Sequence, residues 1–164
     1  MTLSSAVYTT PVETVVVETW IDAPLQRCFD AARDLDLHVQ SLAHTGETAV
    51  AGRTSGLIDL GEEVTWRGRH FGVYQHFTSK ITAFDAPRYF QDSMQRGAFR
   101  SFVHDHFFTA QGTGTTMKDV LVFAAPLGIL GRIAEKVVLR RYLERLLTSR
   151  AVVIKQATEG SGTR

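Results

Sequence analysis

FRSFVHDHFFTAQGTGTTMKDVLVFAA, residues 99–125, is the stretch on which the fold turns. Phe102, His104, His106 and Phe108 alternate on one face of a strand. The turn residues Gln111 to Gly114 then return the chain antiparallel to itself. That turn places Ala110 opposite Thr115, Phe108 opposite Met117 and His106 opposite Asp119. If Phe102, Phe108, Met117 and Leu121 face the core, His104, His106 and Asp119 face it with them. On the preceding strand Phe90, Asp92 and Met94 alternate in the same way. Two carboxylates and two imidazoles thus stand on an otherwise apolar wall.

Working outward, Val12 to Ile21 is a β-branched strand, and Asp22-Ala23-Pro24 offers an N-cap candidate and a proline at a helix start. A short helix to about Ala32 and a second from Asp34 or Asp36 to about Ala43 follow. Strand patterns occupy residues 47–51, 62–70, 73–84, 88–96, 99–110 and 115–125, and a helical pattern without proline runs from Leu127 to about Thr158. Phe71-Gly72 serves as a two-residue hairpin turn, pairing His70 with Val73, Gly68 with Gln75, Trp66 with Phe77 and Val64 with Ser79. The concave face then carries Val64, Trp66, Phe77 and Ile81, with Gln75 and Ser79 beside them. One strand, two short helices, six strands and a long helix make an antiparallel α+β fold rather than a wound parallel sheet.

The last helix carries two apolar stripes. Leu130, Ile133, Ala134, Val137 and Val138 form one, and Tyr142, Leu143, Leu146, Leu147, Val153 and Ile154 form another, turned well away from it across Leu139-Arg140-Arg141. Either the helix breaks near Arg140, or its first turns pack on something other than the sheet. Seven Lys and Arg stand against Glu135 and Glu144 in this segment, a local charge of +5. A solvated face explains that charge, with contact to a membrane surface or an acidic partner as the alternative.

Composition sets the outer bounds. The 164 residues are 44% hydrophobic and 21% charged, with net charge +1, one cysteine and ten phenylalanines. A chain of this length buries roughly 70% of its unfolded surface around one core. The expected organisation is a lead over residues 1–11, one domain over 12–158 and a tail over 159–164. Lone Cys28 excludes an internal disulfide framework and reads as an inert buried thiol. Balanced charge argues against nucleic acid as partner. No apolar run reaches the ~18 residues of a spanning helix, and Met1 to Val7 shows no secretory signal, so a cytoplasmic location is expected. No phosphate loop, dinucleotide fingerprint or nucleophile elbow occurs, and no cofactor is implied.

Several segments together carry a family likeness. They are Ile21-Asp22-Ala23-Pro24, Gly61 to Trp66, Ile81 to Arg88, Phe90 to Phe99, His104-Asp105-His106, Gly114 to Asp119 and Pro126-Leu127-Gly128. From about residue 12 to 157 the chain resembles the START-like (SRPBCC) superfamily, and within it the polyketide cyclase/dehydrase-like and lipid-transport-like branch. The resemblance implies a helix-grip fold, in which a strongly curved seven-stranded antiparallel sheet and a long C-terminal helix hold a hydrophobic ligand. On that reading the cavity binds a small to medium lipid, quinone or polyketide-like molecule. Trp66, Gln75, Phe77, Phe90, Asp92, Met94, Phe102, His104, His106, Phe108, Met117 and Asp119 are its ligand-binding residues. A cyclase or dehydratase acting by acid–base chemistry at His104, His106 and Asp119 is one alternative, and a protein-interaction module is another.

The four polar groups admit several uses. They can pair with one another, His106 with Asp119 and His104 with Asp92, or orient a ligand's polar group. Their types also suit a metal, but buried His–Asp pairs more often satisfy each other, so no metal is expected. His38 and His44 are read as surface or rim residues, and neither His70 nor His76 is given a role.

Overall fold

The computed structural model describes residues 12–125 and 133–160. The seven strands are β1 (Glu13–Ile21), β2 (Thr48–Gly52), β3 (Glu63–His70), β4 (Val73–Asp85), β5 (Tyr89–Arg96), β6 (Ser101–Gln111) and β7 (Gly114–Ala124). The helices are α1 (Leu25–Ala32), α2 (Leu35–Ser41) and α3 (Ile133–Glu159), with a short 3-10 turn at Ala43–Thr45. The strands form one antiparallel sheet in the order β1-β7-β6-β5-β4-β3-β2. This is the antiparallel α+β fold expected from the element order, and the helix-grip architecture that the family resemblance implies.

Register follows from turn length and alternation. His70 pairs with Val73, Gly68 with Gln75, Trp66 with Phe77 and Val64 with Ser79, as the Phe71-Gly72 turn requires. Phe71 has φ 50° and Gly72 φ 80°, the doubly positive geometry whose twist suits a two-residue hairpin. In β6 and β7, Phe108 faces Met117 and His106 faces Asp119. Register shifts between Thr78 and Ser79 and between Ile81 and Ala83 mark bulges in β4, which bend a strand and increase its twist.

The helix starts are set by local chemistry. Asp34 caps α2, its side chain accepting from the backbone N–H groups of Asp36 and Leu37. Asp22 does not cap α1, which begins after Pro24 without a side-chain cap; the Asp22 N–H instead donates to Glu159 Oε1 at 2.8 Å. Glu159, expected in the tail, is the last residue of α3. The lead over 1–11, the strand stop at Pro126 and Gly128, and residues 161–164 lie outside the described residues.

Two apolar clusters cover different parts of the concave face. In one, Phe29 and Leu35 of the short helices pack with Phe90, Phe108 and Met117 of the sheet and with Ala151 and Ile154 of α3. In the other, Leu139, Leu143 and Leu147 of α3 pack on Val15, Leu121 and Phe123. Helix α3 runs unbroken through Arg140, so the two stripes are not separated by a break. The buried stripe is Leu139, Leu143, Leu147, Ala151, Ile154 and Thr158, whereas Val137 and Val138 are exposed. Two of the basic side chains are also tied to the main chain of neighbouring elements. The Arg150 guanidinium donates to the Ala32 carbonyl and the Lys155 ammonium to the Trp20 carbonyl.

Phe29 is fully buried and meets the rings of Phe84, Phe90 and Phe108 edge-on at 5.3, 5.7 and 5.5 Å. Phe29→Ala should therefore lower unfolding free energy by about 3–5 kcal/mol, read as a fall in the urea midpoint at unchanged slope.

Candidate functional site

A cavity of about 250 Å³ lies between the concave face of the sheet, α2 and α3. That is just below the usual range for small-molecule pockets, about 300–1,000 Å³. Its apolar wall includes Trp66, Phe77, Phe90, Phe99 and Phe102 from the sheet side and Leu139, Leu143 and Leu146 from α3. The sheet supplies these side chains because inward positions recur every second residue, so apolar and polar groups on one strand reach the same space. Two polar constellations stand in that wall.

The first lies across β5, β6 and β7. His106 is 1% exposed, with Nδ1 2.7 Å from Asp119 Oδ1 and Nε2 2.9 Å from Asp92 Oδ2. Ionised carboxylates only accept hydrogen bonds, so both nitrogens donate and the ring is an imidazolium. Burial pushes the His106 pKa down, but the hydrogen bonds to Asp119 and Asp92 outweigh it and raise it. Both carboxyls are likewise driven up by burial but carried below the usual range by the imidazoles, Asp119 far below it. Phe90 stacks on the His106 ring at 4.1 Å.

His104 is placed differently. Its Nε2 is 3.2 Å from Asp119 Oδ1 but not aligned for a hydrogen bond, and its Nδ1 is 3.8 Å from Asp92 Oδ2. The expected His104–Asp92 hydrogen bond is therefore not made, because Asp92 turns to His106. Burial and the neighbouring His106 charge lower the His104 pKa, against the pull of the carboxylates.

The second constellation centres on Glu47, just before β2. Its Oε1 is 2.6 Å from His38 Nε2, its Oε2 is 3.5 Å from His70 Nε2, and His70 Nδ1 is 2.6 Å from the Tyr142 hydroxyl. His38 stacks on Trp66 at 4.2 Å. Gly68 makes room for this: a Cβ there would stand 3.0 Å from His70 Nε2 and 3.3 Å from Glu47 Oε2. Burial pushes the Glu47 carboxyl up, but hydrogen bonds from His38 and His70 prevail and hold it at about 2. The Tyr142 hydroxyl is pushed up by burial and by the Glu47 charge.

Of the residues named from the sequence, Trp66, Gln75, Phe77, Phe90, Asp92, Phe102 and His104 line the cavity. His106 and Asp119 stand behind His104 and Asp92 in the wall and do not line it. Phe108 and Met117 pack with Phe29 under α1, which occupies the part of the concave face they point to. Met94 lies near the end of β5, where Gly97 leaves space for its sulfur. His38, read as a surface or rim residue, and His70 and His76, given no role, line the cavity, as do Glu47 and Tyr142, which were not among the expected site residues. Cys28 is buried, with Sγ 3.7 Å from the Ala23 carbonyl oxygen, and burial pushes its thiol up.

The geometry defines a helix-grip fold with a hollow, polar-studded interior, and solved structures share the fold. TTHA0849 from Thermus thermophilus superposes with a TM-score of 0.69 at 20% identity, over 89% of this chain and 99% of that one. Protein Ms6760 from Mycobacterium smegmatis gives 0.66 at 20% identity, over 93% and 98%. Ginseng major latex-like protein 151 from Panax ginseng gives 0.61 at 13% identity, over 90% and 97%. No protein-family model and no curated protein matches the chain.

Glu47 makes the second constellation testable by pH. Its carboxyl moves from an ordinary value of 4.5 to about 2 on folding. A carboxyl so lowered contributes stability above about pH 4.5, and that stability is lost as pH falls toward 2. Glu47→Gln should cost roughly 3 kcal/mol near neutrality, and the difference from wild type should shrink steadily on acidification through that window. Urea denaturation at stepped pH measures it; a difference independent of pH would refute the assignment.

Proposed function

We propose that this chain binds a small to medium hydrophobic ligand of the lipid, quinone or polyketide-like class in the cavity between sheet and α3. The observation that carries the reading is the cavity itself, with aromatic and aliphatic walls and a few converging polar groups. Apolar burial supplies the affinity, on a scale of about 25 cal/mol per Å² removed from water, and the polar groups set orientation. Among the residues named from the sequence, Trp66, Phe77, Phe90 and Phe102 contact the ligand's apolar body, while Asp92, His104 and Gln75 meet its polar part. His106 and Asp119 act behind them by holding Asp92 and His104 in place. Met94, Phe108 and Met117 serve packing. The reading keeps the cytoplasmic location expected from the sequence; no helix among the described residues is long and apolar enough to cross a membrane.

A second reading, proton-transfer chemistry of the cyclase or dehydratase kind in the same cavity, is favoured by His38. Its imidazole is oriented by Glu47 and lines the wall, as an acid–base group must.

Native mass spectrometry of the purified protein, followed by displacement titration with an environment-sensitive apolar dye, tests the binding reading. A co-purified apolar molecule or saturable dye binding is expected. Leu143→Trp, which fills the cavity from α3, should weaken dye binding about tenfold or more. Dye binding that is absent, or unchanged in Leu143→Trp, would overturn the reading. His38→Gln separates the two readings, since a binding protein changes in affinity alone and an enzyme loses turnover by ~10²-fold.

A further inference from the structure

The Asp/His constellation is ordered in two layers. One ligand-capable atom each from Asp92, His104 and His106 lies within 4.8 Å of the others. Asp92 Oδ2 faces His106 Nε2 at 2.9 Å and His104 Nδ1 at 3.8 Å. On the opposite side, Asp119 Oδ1 faces His106 Nδ1 at 2.7 Å and His104 Nε2 at 3.2 Å. One carboxylate therefore stands behind the far nitrogen of both imidazoles, and the other stands with their near nitrogens. Asp92 and His104 reach the cavity, whereas His106 and Asp119 do not.

Mutual pairing leaves this arrangement incomplete. Among the described residues, His104 Nε2 is the one buried side-chain nitrogen or oxygen without a hydrogen-bond partner, and the residue is only 4% exposed. A buried imidazole nitrogen without a hydrogen bond carries its desolvation cost uncompensated.

We propose that Asp92, His104 and His106 form a binding site for a divalent first-row transition-metal ion such as zinc or iron(II), with Asp119 as the carboxylate that orients both imidazoles. Three ligand atoms, each about 2.1 Å from one ion, stand about 3.0–3.4 Å apart at right or tetrahedral angles. The 2.9 and 3.8 Å separations about Asp92 bracket that spacing. The ion takes the place of the proton on His106 Nε2, which leaves to solvent, and ligation at His104 Nδ1 fixes that ring's proton on Nε2, where a small turn of the ring aligns it with Asp119 Oδ1, 3.2 Å away. Two imidazoles and one carboxylate leave coordination positions open, and Asp92 and His104 put those positions at the cavity wall. A ligand carrying an oxygen donor would be anchored there. The proposal goes beyond apolar binding, which stands or falls on dye displacement independently of any ion.

The test uses tag-free full-length chain, stripped with a chelator, then titrated with Co²⁺ by visible absorption and with Zn²⁺ by calorimetry. One ion per chain is expected. His104→Gln and Asp92→Asn should each weaken binding by about 100-fold or more, and Asp119→Asn by about 10–100-fold with all three ligands in place. Absence of saturable binding would overturn the proposal, leaving the cluster a purely structural charge network. Binding that survives both His104→Gln and Asp92→Asn would also overturn it, since the ion would then sit elsewhere, for instance at His38, Glu47 and His70. If the variants fail to fold, X-ray absorption of Co²⁺-loaded wild type and Glu47→Gln decides: two imidazoles and a carboxylate oxygen retained in Glu47→Gln support the site, whereas loss of that set in Glu47→Gln, or any other set of protein ligands in wild type, overturns it.

Discussion

A single buried imidazolium between two carboxylates ties the centre of the sheet together. His106 on β6 reaches Asp92 on β5 and Asp119 on β7, so one ring spans three adjacent strands. Slipping any of them by one residue would send its half of the network to the opposite face and leave charge buried without a partner. The alternation of aromatic residues around it would be lost at the same time. The network therefore specifies register as much as it stabilises, and the wall above it is only as well ordered as that register.

The concave face is shared unequally between helices. Phe29 of α1 seals the part lined by Phe108 and Met117 with tight aromatic packing. Over the rest, α3 approaches with leucines and Tyr142 and leaves a hollow. The residues of one strand face thus have two different fates: Phe108 is solid core, while Phe102, six positions earlier, meets open space.

This division explains what the sequence could and could not disclose. Alternation and a two-residue turn determine pairing locally, so the partners of Trp66, Gln75 and His106 are legible in the chain alone. Where α1 lands on the sheet is a tertiary fact, so alternation could not separate Phe108 and Met117 from the true wall residues. Glu47 was invisible for a related reason: its partners are His38, His70 and, through His70, Tyr142, on three separate elements. No local pattern marks a carboxylate whose neighbours come from so far along the chain. The two stripes of α3 were both visible, but only packing decides that Leu139, Leu143 and Leu147 turn inward while Val137 and Val138 do not.

The bulges in β4 carry a wider meaning. Because they bend the main chain, the curvature of the sheet behind the hollow is set by backbone hydrogen bonding, while side chains decide how much of the concave face is filled. Its shape and its chemistry can then be altered separately. Structures only 13–20% identical to this chain keep the same fold, with TM-scores of 0.61–0.69. A phenylalanine or a histidine on the wall can therefore be exchanged, and the chemistry of the interior altered, without changing the backbone that carries it.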